Sequence, residues 1–530
     1  MVHACLDAVK LRHLHPTLAI QGKVVHELDH WARFQRFLIL GSESGTYYVG
    51  ERDLTLESLT SLRACLEEDP QRAVTMLEEI SYAGRAPKND PAIFALAVAS
   101  THEYAMVRKL AFTALPAVCR TGAHLLHFAA YREALGGGWG RGMRRAIGAW
   151  FADMTPTKLV LQAIKYQNRD GWALADLLRL SHPKLGEQRG LIAKYIVEGD
   201  EAIAEIFQLP TYDLDWPTLL VAVSTIRQGV EQPGTVADFI RTNRIRREAM
   251  PTQYLNDRDG WDALLADMPM TAMIRNLGKI TNIGLVARGS DAERHIVSEL
   301  QNMERLKASR VHPLSLLAAL KVYEQGHGEK GSLTWKASKR VVNALDEAFY
   351  LAFGAVEPTG KRLCVALDVS GSMSWNKIAG MPLTPREASA AMALVTVATE
   401  PNTRVVAFSD GLAELDIRPS MRLDDVLRVV GNTPMGGTYL ELPMRWARET
   451  YTVFDGFVTY TDSESRSQAA VWDELARYRR GVRKLARHAV VAMEANQFSV
   501  ADPGDVGQLD IVGFDTATPA VLSDFFARRI

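Results

Sequence analysis

Through the first three hundred and fifty or so residues, apolar positions recur mostly with helical spacing, and glycine and proline punctuate them at short intervals. Asp90-Pro91 opens one segment, with proline at the first helical position and the apolar run Ile93-Phe94-Ala95-Leu96-Ala97-Val98 behind it. Thr155-Pro156 opens another, expected to run to about Asn168. His312-Pro313 opens a third, Leu314 to Leu320, which should stop before Gly326. No strict repeat period is visible. Helix pairs stacked in series as an irregular solenoid fit this punctuation better than a bundle, which at this length would need one very large core.

The pattern changes near Val356-Glu357-Pro358-Thr359-Gly360. Beyond it, short buried-strand runs are predicted at Arg362–Leu367, Arg404–Phe408, Gly456–Tyr460 and Ala489–Ala492, with helices between them. Thr384-Pro385-Arg386-Glu387 is a capping box that opens the helix through Ala390–Val397. Strands alternating with helices imply a parallel sheet covered on both faces. The expected fold class is therefore α plus α/β, with a helical-repeat domain at 1–358 and a Rossmann-like domain at 359–530.

Composition narrows the function classes. A chain of 530 residues with 47% apolar and 23% charged residues is ordinary globular material for two or more domains. A formal net charge of −1 means that any nucleic-acid binding must come from local basic patches. Cys5, Cys65, Cys119 and Cys364 are far apart and form no Cys-x-x-Cys, so neither a disulfide framework nor a thiolate zinc site is indicated. Met1 to His15 holds no apolar signal core, and no run reaches membrane-spanning length. The expectation is a cytoplasmic protein with no membrane partner.

The most pointed chemistry is Asp368-Val369-Ser370-Gly371-Ser372-Met373, directly after a predicted strand. One carboxylate and two hydroxyls, spaced two apart above a parallel sheet, suit a hard divalent cation, with Mg²⁺ the expected one. Ligands of such sheets collect at the carboxyl ends of strands, where Asp462 of Thr461-Asp462-Ser463 also falls. With Met435-Gly436-Gly437-Thr438, these pieces resemble the metal-ion-dependent adhesion site of von Willebrand factor A domains. Asp368, Ser370, Ser372, Thr438 and Asp462 are the expected metal ligands, Asp462 directly or through water. The plainer alternative is a polar loop whose serines cap the next helix. A phosphoaspartyl hydrolase would want a carboxylate at position 370, and Gly278-Lys279 lacks a P-loop's upstream glycine. With no His or Lys base nearby and no carboxylate cluster for two-metal chemistry, the site looks built to bind, so no enzyme activity is expected.

In the helical half, Lys158, Gln162, Lys165 and Arg169 recur at steps of four, three and four, placing them on one helix face. Such a row is either an ordinary solvated face or a line of phosphate contacts, with His182 brought alongside by the next turn. The segment Lys165–Trp172, followed by Asp176–His182, resembles the Ro ribonucleoprotein family. So do Arg36–Tyr48, Gly84–Pro91 and Met268–Gly278, and the resemblance covers nearly the whole chain in the family's order. It identifies a TROVE module joined to a von Willebrand A domain.

That resemblance implies a ring of helical repeats closed by the A domain. It also implies Y RNA bound on the outer surface, single-stranded 3′ ends of misfolded RNAs in a central hole, and work in RNA quality control. The Y RNA-binding Lys, Arg and His of the family fall on Lys165, Arg169 and His182, with Lys158 on the same row. In bacterial members, RNA processing with an exoribonuclease partner is implied. The chain itself is expected to be a monomer. Gly136–Gly140 leads into Arg141, Arg144 and Arg145, which by resemblance could meet RNA or could equally be solvated arginines after a flexible linker. Arg241, Arg244, Arg246 and Arg247 carry the same ambiguity. Arg477, Arg479, Arg480, Arg483, Lys484 and Arg487 are expected on a solvated helix, and Trp31, Trp150, Trp172 and Trp261 in the core. The competing function is a metal-dependent protein-interaction scaffold acting through the A domain.

Overall fold

The computed structural model describes residues 18–20, 23–25, 28–49, 54–166, 168–206, 215–229, 233–250, 252–329, 331–434, 436–462, 468–494 and 500–530. The chain forms two compact units, one of residues up to Ser61 together with Val356–Ile530, the other of Leu62–Ala355. Among the described residues no helix is long and apolar enough to cross a membrane. Cys65, Cys119 and Cys364 are buried, while Cys5 and the Met1–His15 stretch lie outside the described residues.

The first unit is built on one sheet of β1 (Thr46–Tyr48), β2 (Arg362–Asp368), β3 (Asn402–Phe408), β4 (Leu412–Leu415), β5 (Gly456–Thr461), β6 (Arg487–Ala492) and β7 (Gln508–Val512). Their order is β1-β7-β6-β5-β2-β3-β4. All neighbours run parallel except β4, which returns antiparallel on β3. Strands β5, β6 and β7 are buried along their whole length, as continuous apolar runs in a doubly covered sheet must be. The capping box forms as predicted: Thr384 accepts from the Glu387 N–H at 3.2 Å, and Glu387 accepts from the Thr384 N–H at 3.0 Å. It starts the helix Pro385–Thr399.

The expected single boundary at 358 needs a correction at the other end of the chain. The helix His30–Leu40 and strand β1 belong to the sheet unit, not to the helical repeats. Arg36 explains why. Its guanidinium is buried and donates through Nη2 to the Val506 carbonyl at 2.7 Å and the Gln508 carbonyl at 3.2 Å. A Cβ on Gly45 would lie 2.3 Å from Arg36 Nη1, so only glycine lets the chain turn from the helix into β1. The Arg36–Tyr48 motif is thus a structural graft onto the sheet edge. Three strands of this sheet escaped the sequence reading, two of them for being short: β1 has three residues and β4 four, too few for a period.

The basic cluster expected on a solvated helix holds for Arg477 and Arg480, which are exposed on it, and needs correction for Arg479, Arg483 and Arg487. The helix Gln468–Gly481 ends before Arg483. Arg479 is buried and paired with Asp505, Arg483 pairs with Asp455 at 2.8 Å, and Arg477 reaches Glu474 at 3.4 Å. Arg487 sits in β6 and donates to the chain's last carbonyls at Phe525 and Ile530. These arginines hold the unit together.

The second unit is a run of helices, and in its first part alternate helices pack on one another. Pro70–Tyr82 lies against Ala105–Val118, that against Arg141–Asp153, and that against Leu174–Ser181, while Asp90–Ser100 lies against Gly122–Ala134. This is the two-layered stacking of a helical-repeat solenoid. The Gly84–Pro91 motif serves it. Asn89 donates to the Val118 carbonyl at 3.0 Å and accepts from Ser81 Oγ at 2.7 Å, tying three successive helix ends. In the Met268–Gly278 motif, a Cβ on Gly278 would sit 2.6 Å from the Trp335 ring, so the helix Met270–Asn282 can approach it only through glycine.

The helix Pro313–Gln325 begins and ends as read, with Gly326 left-handed at its end. Its cap is His312, whose Nδ1 accepts from the Leu314 N–H at 3.1 Å. Burial pushes this imidazole down to about 4. Its folded value lies below the unfolded one, so its contribution is complete above about pH 6.5 and is lost as pH falls through about 4. Protonation would also convert the capping acceptor to a donor. His312→Asn keeps an acceptor at the cap and removes the titration. Urea unfolding as a function of pH should show an acid-induced loss of stability shallower by on the order of 1–3 kcal/mol in the variant. An identical acid limb would contradict the assignment.

Candidate functional site

Asp368 ends β2 and Asp462 follows β5, the adjacent parallel strand. Asp368 is fully buried, its Oδ1 accepting from the Ser370 N–H at 2.8 Å and its Oδ2 from Thr461 Oγ1 at 2.7 Å. Burial pushes its carboxyl above the usual range, opposed by those hydrogen bonds and reinforced by the charge of Asp462. Ser370 Oγ and Ser372 Oγ lie 3.2 Å apart. Asp462 is 3% exposed, and among the described residues its Oδ1 has no hydrogen-bond partner. A buried carboxylate oxygen without a donor is costly unless a cation sits there.

Thr438 is half-buried on the loop after Gly436-Gly437, and among the described residues no hydrogen bond joins it to the other four. Asp410 shapes that loop. Its Oδ1 accepts from the Gly437 N–H at 2.8 Å, and a Cβ on Gly436 would lie 2.3 Å from its Oδ2. Asp410 follows β3, so three neighbouring strands, β5, β2 and β3, each deliver a carboxylate at their carboxyl ends. Ser463 and Met435 lie outside the described residues. Among those described, no group of three or more His, Cys, Asp or Glu is placed to hold a metal ion, so the oxygens here come from two carboxylates and hydroxyls. Two carboxylates with hydroxyls form a hard oxygen set that fits a divalent cation which retains waters, as Mg²⁺ does.

The residues read as one row on a helix face do not all share that face, and only Lys158 and Lys165 stand exposed on the helix. The helix expected to reach Asn168 ends at Lys165. Asp170 and Gly171 both have positive φ, +50° and +80°. They form the tight turn of a hairpin pairing Asn168 with Ala173 and Arg169 with Trp172. Asp-Gly favours this turn because both central residues must be left-handed. Arg169 therefore projects from a hairpin, not from the helix. Its Nε lies 3.4 Å from His127 Nε2, while His127 Nδ1 pairs with the Asp170 carboxylate. If Arg169 donates, the imidazole is neutral with its proton on Nδ1. His127 and Asp170 are functional candidates that the sequence reading missed. The Asp-Gly pair was the available signal.

Lys158 is exposed in the first turn of that helix. Lys165 is half-exposed, its Nζ 3.9 Å from Glu248 and 5.3 Å from the Tyr166 ring centre. Gln162 leaves the row, since its Oε1 accepts from the Gly122 N–H at 2.7 Å and caps the helix that carries His127. His182 is exposed and caps the helix Leu174–Ser181 in a left-handed conformation, its N–H on the Leu178 carbonyl at 3.0 Å. Lys165, Arg169 and His182 thus stand on three consecutive elements, exposed and without mutual contact.

Arg141, Arg144 and Arg145 are exposed within the first five residues of the helix Arg141–Asp153, whose first turn has no acidic residue. Cations there oppose the helix dipole, a local conflict typical of functional surfaces. The glycine loop before them is not a loose linker. It wraps the buried Arg132, whose Nη1 donates to the Gly138 carbonyl, while the Gly137 N–H returns to the Arg132 carbonyl at 2.8 Å. In the other basic patch Arg241 is paired with Asp262 at 3.0 Å, and the Arg247 guanidinium lies 5.9 Å from the Trp261 ring centre. Trp31, Trp150 and Trp261 are buried as expected. Trp172 is not core. It lies in the hairpin, 5.5 Å from Trp139 and hydrogen-bonded to Glu133 at 3.1 Å.

A helical-repeat unit carrying these exposed cations, joined to a Rossmann-like sheet with an oxygen-rich loop at its carboxyl edge, is a TROVE module joined to a von Willebrand A domain. Residues 19–205 and 242–321 match the TROVE domain, and residues 362–526 match the Ro60 vWA domain. The chain belongs to the Ro60 family. It is 36% identical to RNA-binding protein RO60 of Deinococcus radiodurans, covering 95% of this chain and 94% of that one. To RNA-binding protein RO60 of Caenorhabditis elegans it is 34% identical, covering 96% and 90%. The crystal structure of the Deinococcus radiodurans RO (RSR) protein superposes with a TM-score of 0.88 at 36% identity, over 95% of this chain and 100% of that one.

Proposed function

We propose that this chain is a noncatalytic RNA-binding protein of the Ro type. Its relatives in Deinococcus radiodurans and Caenorhabditis elegans carry the name RNA-binding protein. The observation that carries the reading is the Arg169 hairpin, in which an exposed guanidinium is steadied by His127 and Asp170 beside exposed Lys165 and His182. A hairpin holds a cation in one place, which suits phosphate contacts that set register on a folded RNA. Small Y RNAs are the proposed structured ligand. Single-stranded 3′ ends of misfolded RNAs are the second, taken by the central opening that the family resemblance implies. The setting is cytoplasmic RNA quality control or processing, by a monomer that meets an exoribonuclease. Buried thiols such as Cys119 and Cys364 suit a reducing compartment.

In the A domain, Asp368, Ser370, Ser372, Thr438 and Asp462 would hold Mg²⁺, which supplies a Lewis-acidic position for a partner's carboxylate. Trp375 favours a second reading, protein docking at this loop. It is 79% exposed immediately after the Gly371–Ser374 turn, where a large aromatic serves as a contact anchor.

One preparation separates the two readings. Protein purified without nuclease should carry an absorbance excess at 260 nm that high salt removes and EDTA leaves in place. Nucleic-acid-free protein that captures acidic partners in an EDTA-sensitive way would favour the scaffold reading.

A further inference from the structure

A cavity of about 850 Å³ opens between the helices Ala105–Val118 and Arg141–Asp153, a volume suited to a small ligand. Arg108, Lys109, Arg132, Arg141 and Arg145 line it, against the single carboxylate of Asp153. The hydrogen bonds of Arg108 and Arg132 go to uncharged groups, His102 and Glu103 carbonyls for the first, Ser100 Oγ and the Gly138 carbonyl for the second. Their charge is therefore directed but not neutralised.

The walls are aromatic and held in place. Trp139 is half-buried at the cavity, and the Phe112 ring centre lies 5.6 Å from the Arg132 guanidinium. A Cβ on Gly142 would lie 2.8 Å from Phe112, and one on Gly137 2.6 Å from Arg132. The glycine loop thus lets backbone and rings close around the space. Trp139 also contacts Trp172 of the Arg169 hairpin, so the cavity adjoins the proposed RNA surface.

We infer that this cavity is a subsite for one unstacked nucleotide of single-stranded RNA, its base against Trp139 and Phe112 and its phosphate among the arginines. This rests on the RNA-binding reading and specifies a place for a flexible strand. Excess cation alone would take any anion. Cations interleaved with aromatic faces, next to a basic hairpin, match the phosphate-and-base alternation of a strand.

The test uses the full chain with two RNA probes, an unstructured ten-nucleotide uridylate and a folded Y-type hairpin, and with free AMP as a third ligand. Trp139→Ala should weaken uridylate binding roughly tenfold or more, and Trp139→Phe should restore most of it. Lys109→Glu, at an exposed position, should weaken it too and lower its salt dependence. The loss on uridylate should exceed the loss on the hairpin at least several-fold. Equal losses on both probes, or none on either, would overturn the subsite. AMP binding that depends on Trp139 while uridylate binding does not would make it a free-nucleotide pocket and overturn the RNA assignment. Wild-type protein that binds neither RNA would sink the broader reading, a result distinct from these.

Discussion

Replacing Lys165 and Arg169 together with alanine should weaken binding to a folded Y-type RNA by about 30- to 1000-fold. The figure follows from two charge-assisted phosphate contacts, each worth on the order of 1–2 kcal/mol. The slope of log affinity against log salt should fall by about 2, since each phosphate contact removed costs about one counterion. His127→Ala should cost less, about three- to tenfold, because Arg169 keeps its charge and loses only its support. Unfolding curves should hardly change, as Lys165 and Arg169 are exposed and neither makes a buried contact. If the double variant binds like wild type in a gel-shift titration, the phosphate-contacting surface lies elsewhere.

The second large effect concerns the A domain. Magnesium at about a hundred times its dissociation constant should stabilise EDTA-treated protein by about 2.7 kcal/mol. Two variants separate a metal site from a loop cap. Asp368→Ala should lower metal-free stability by about 2–3 kcal/mol, because the Ser370 N–H and Thr461 hydroxyl lose their acceptor. Asp462→Ala removes a buried oxygen that has no donor among the described residues, so metal-free stability should hold or rise while the magnesium response disappears. A cap-only loop predicts no magnesium response in the wild type. Thermal unfolding with and without magnesium decides.

Much of this was legible in the sequence because certain residues state their geometry locally. Thr384 with Glu387, the prolines Pro91, Pro156 and Pro313 in the first turns of their helices, and the glycine after Gln325 each mark an element end. The four long central strands show as apolar runs because both their faces are covered. What escaped depended on distant partners. Strand β1 has meaning only beside β7, more than four hundred and fifty residues away. Arg479 looks solvated until Asp505 is placed on it, and Gln162 looks like part of a basic row until Gly122 arrives. The Arg169 hairpin is a different kind of miss. Helical spacing through Lys165 extends to Asn168 and Arg169, but the helix stops at Lys165 and those two residues enter a hairpin that Asp170 and Gly171 turn with positive φ. The correction sharpens the functional reading, since it trades a position on a helix face for a cation fixed by a turn and a histidine.

The most direct test of the central claim is to crosslink the full-length protein to RNA in cells and map the protein residues that carry nucleotide. Crosslinked peptides containing Lys165, Arg169 or His182 are expected on a folded small RNA, and peptides containing Trp139 on a separate single-stranded species. Crosslinks confined to the sheet unit, or an absence of RNA at all of these positions, would contradict that claim.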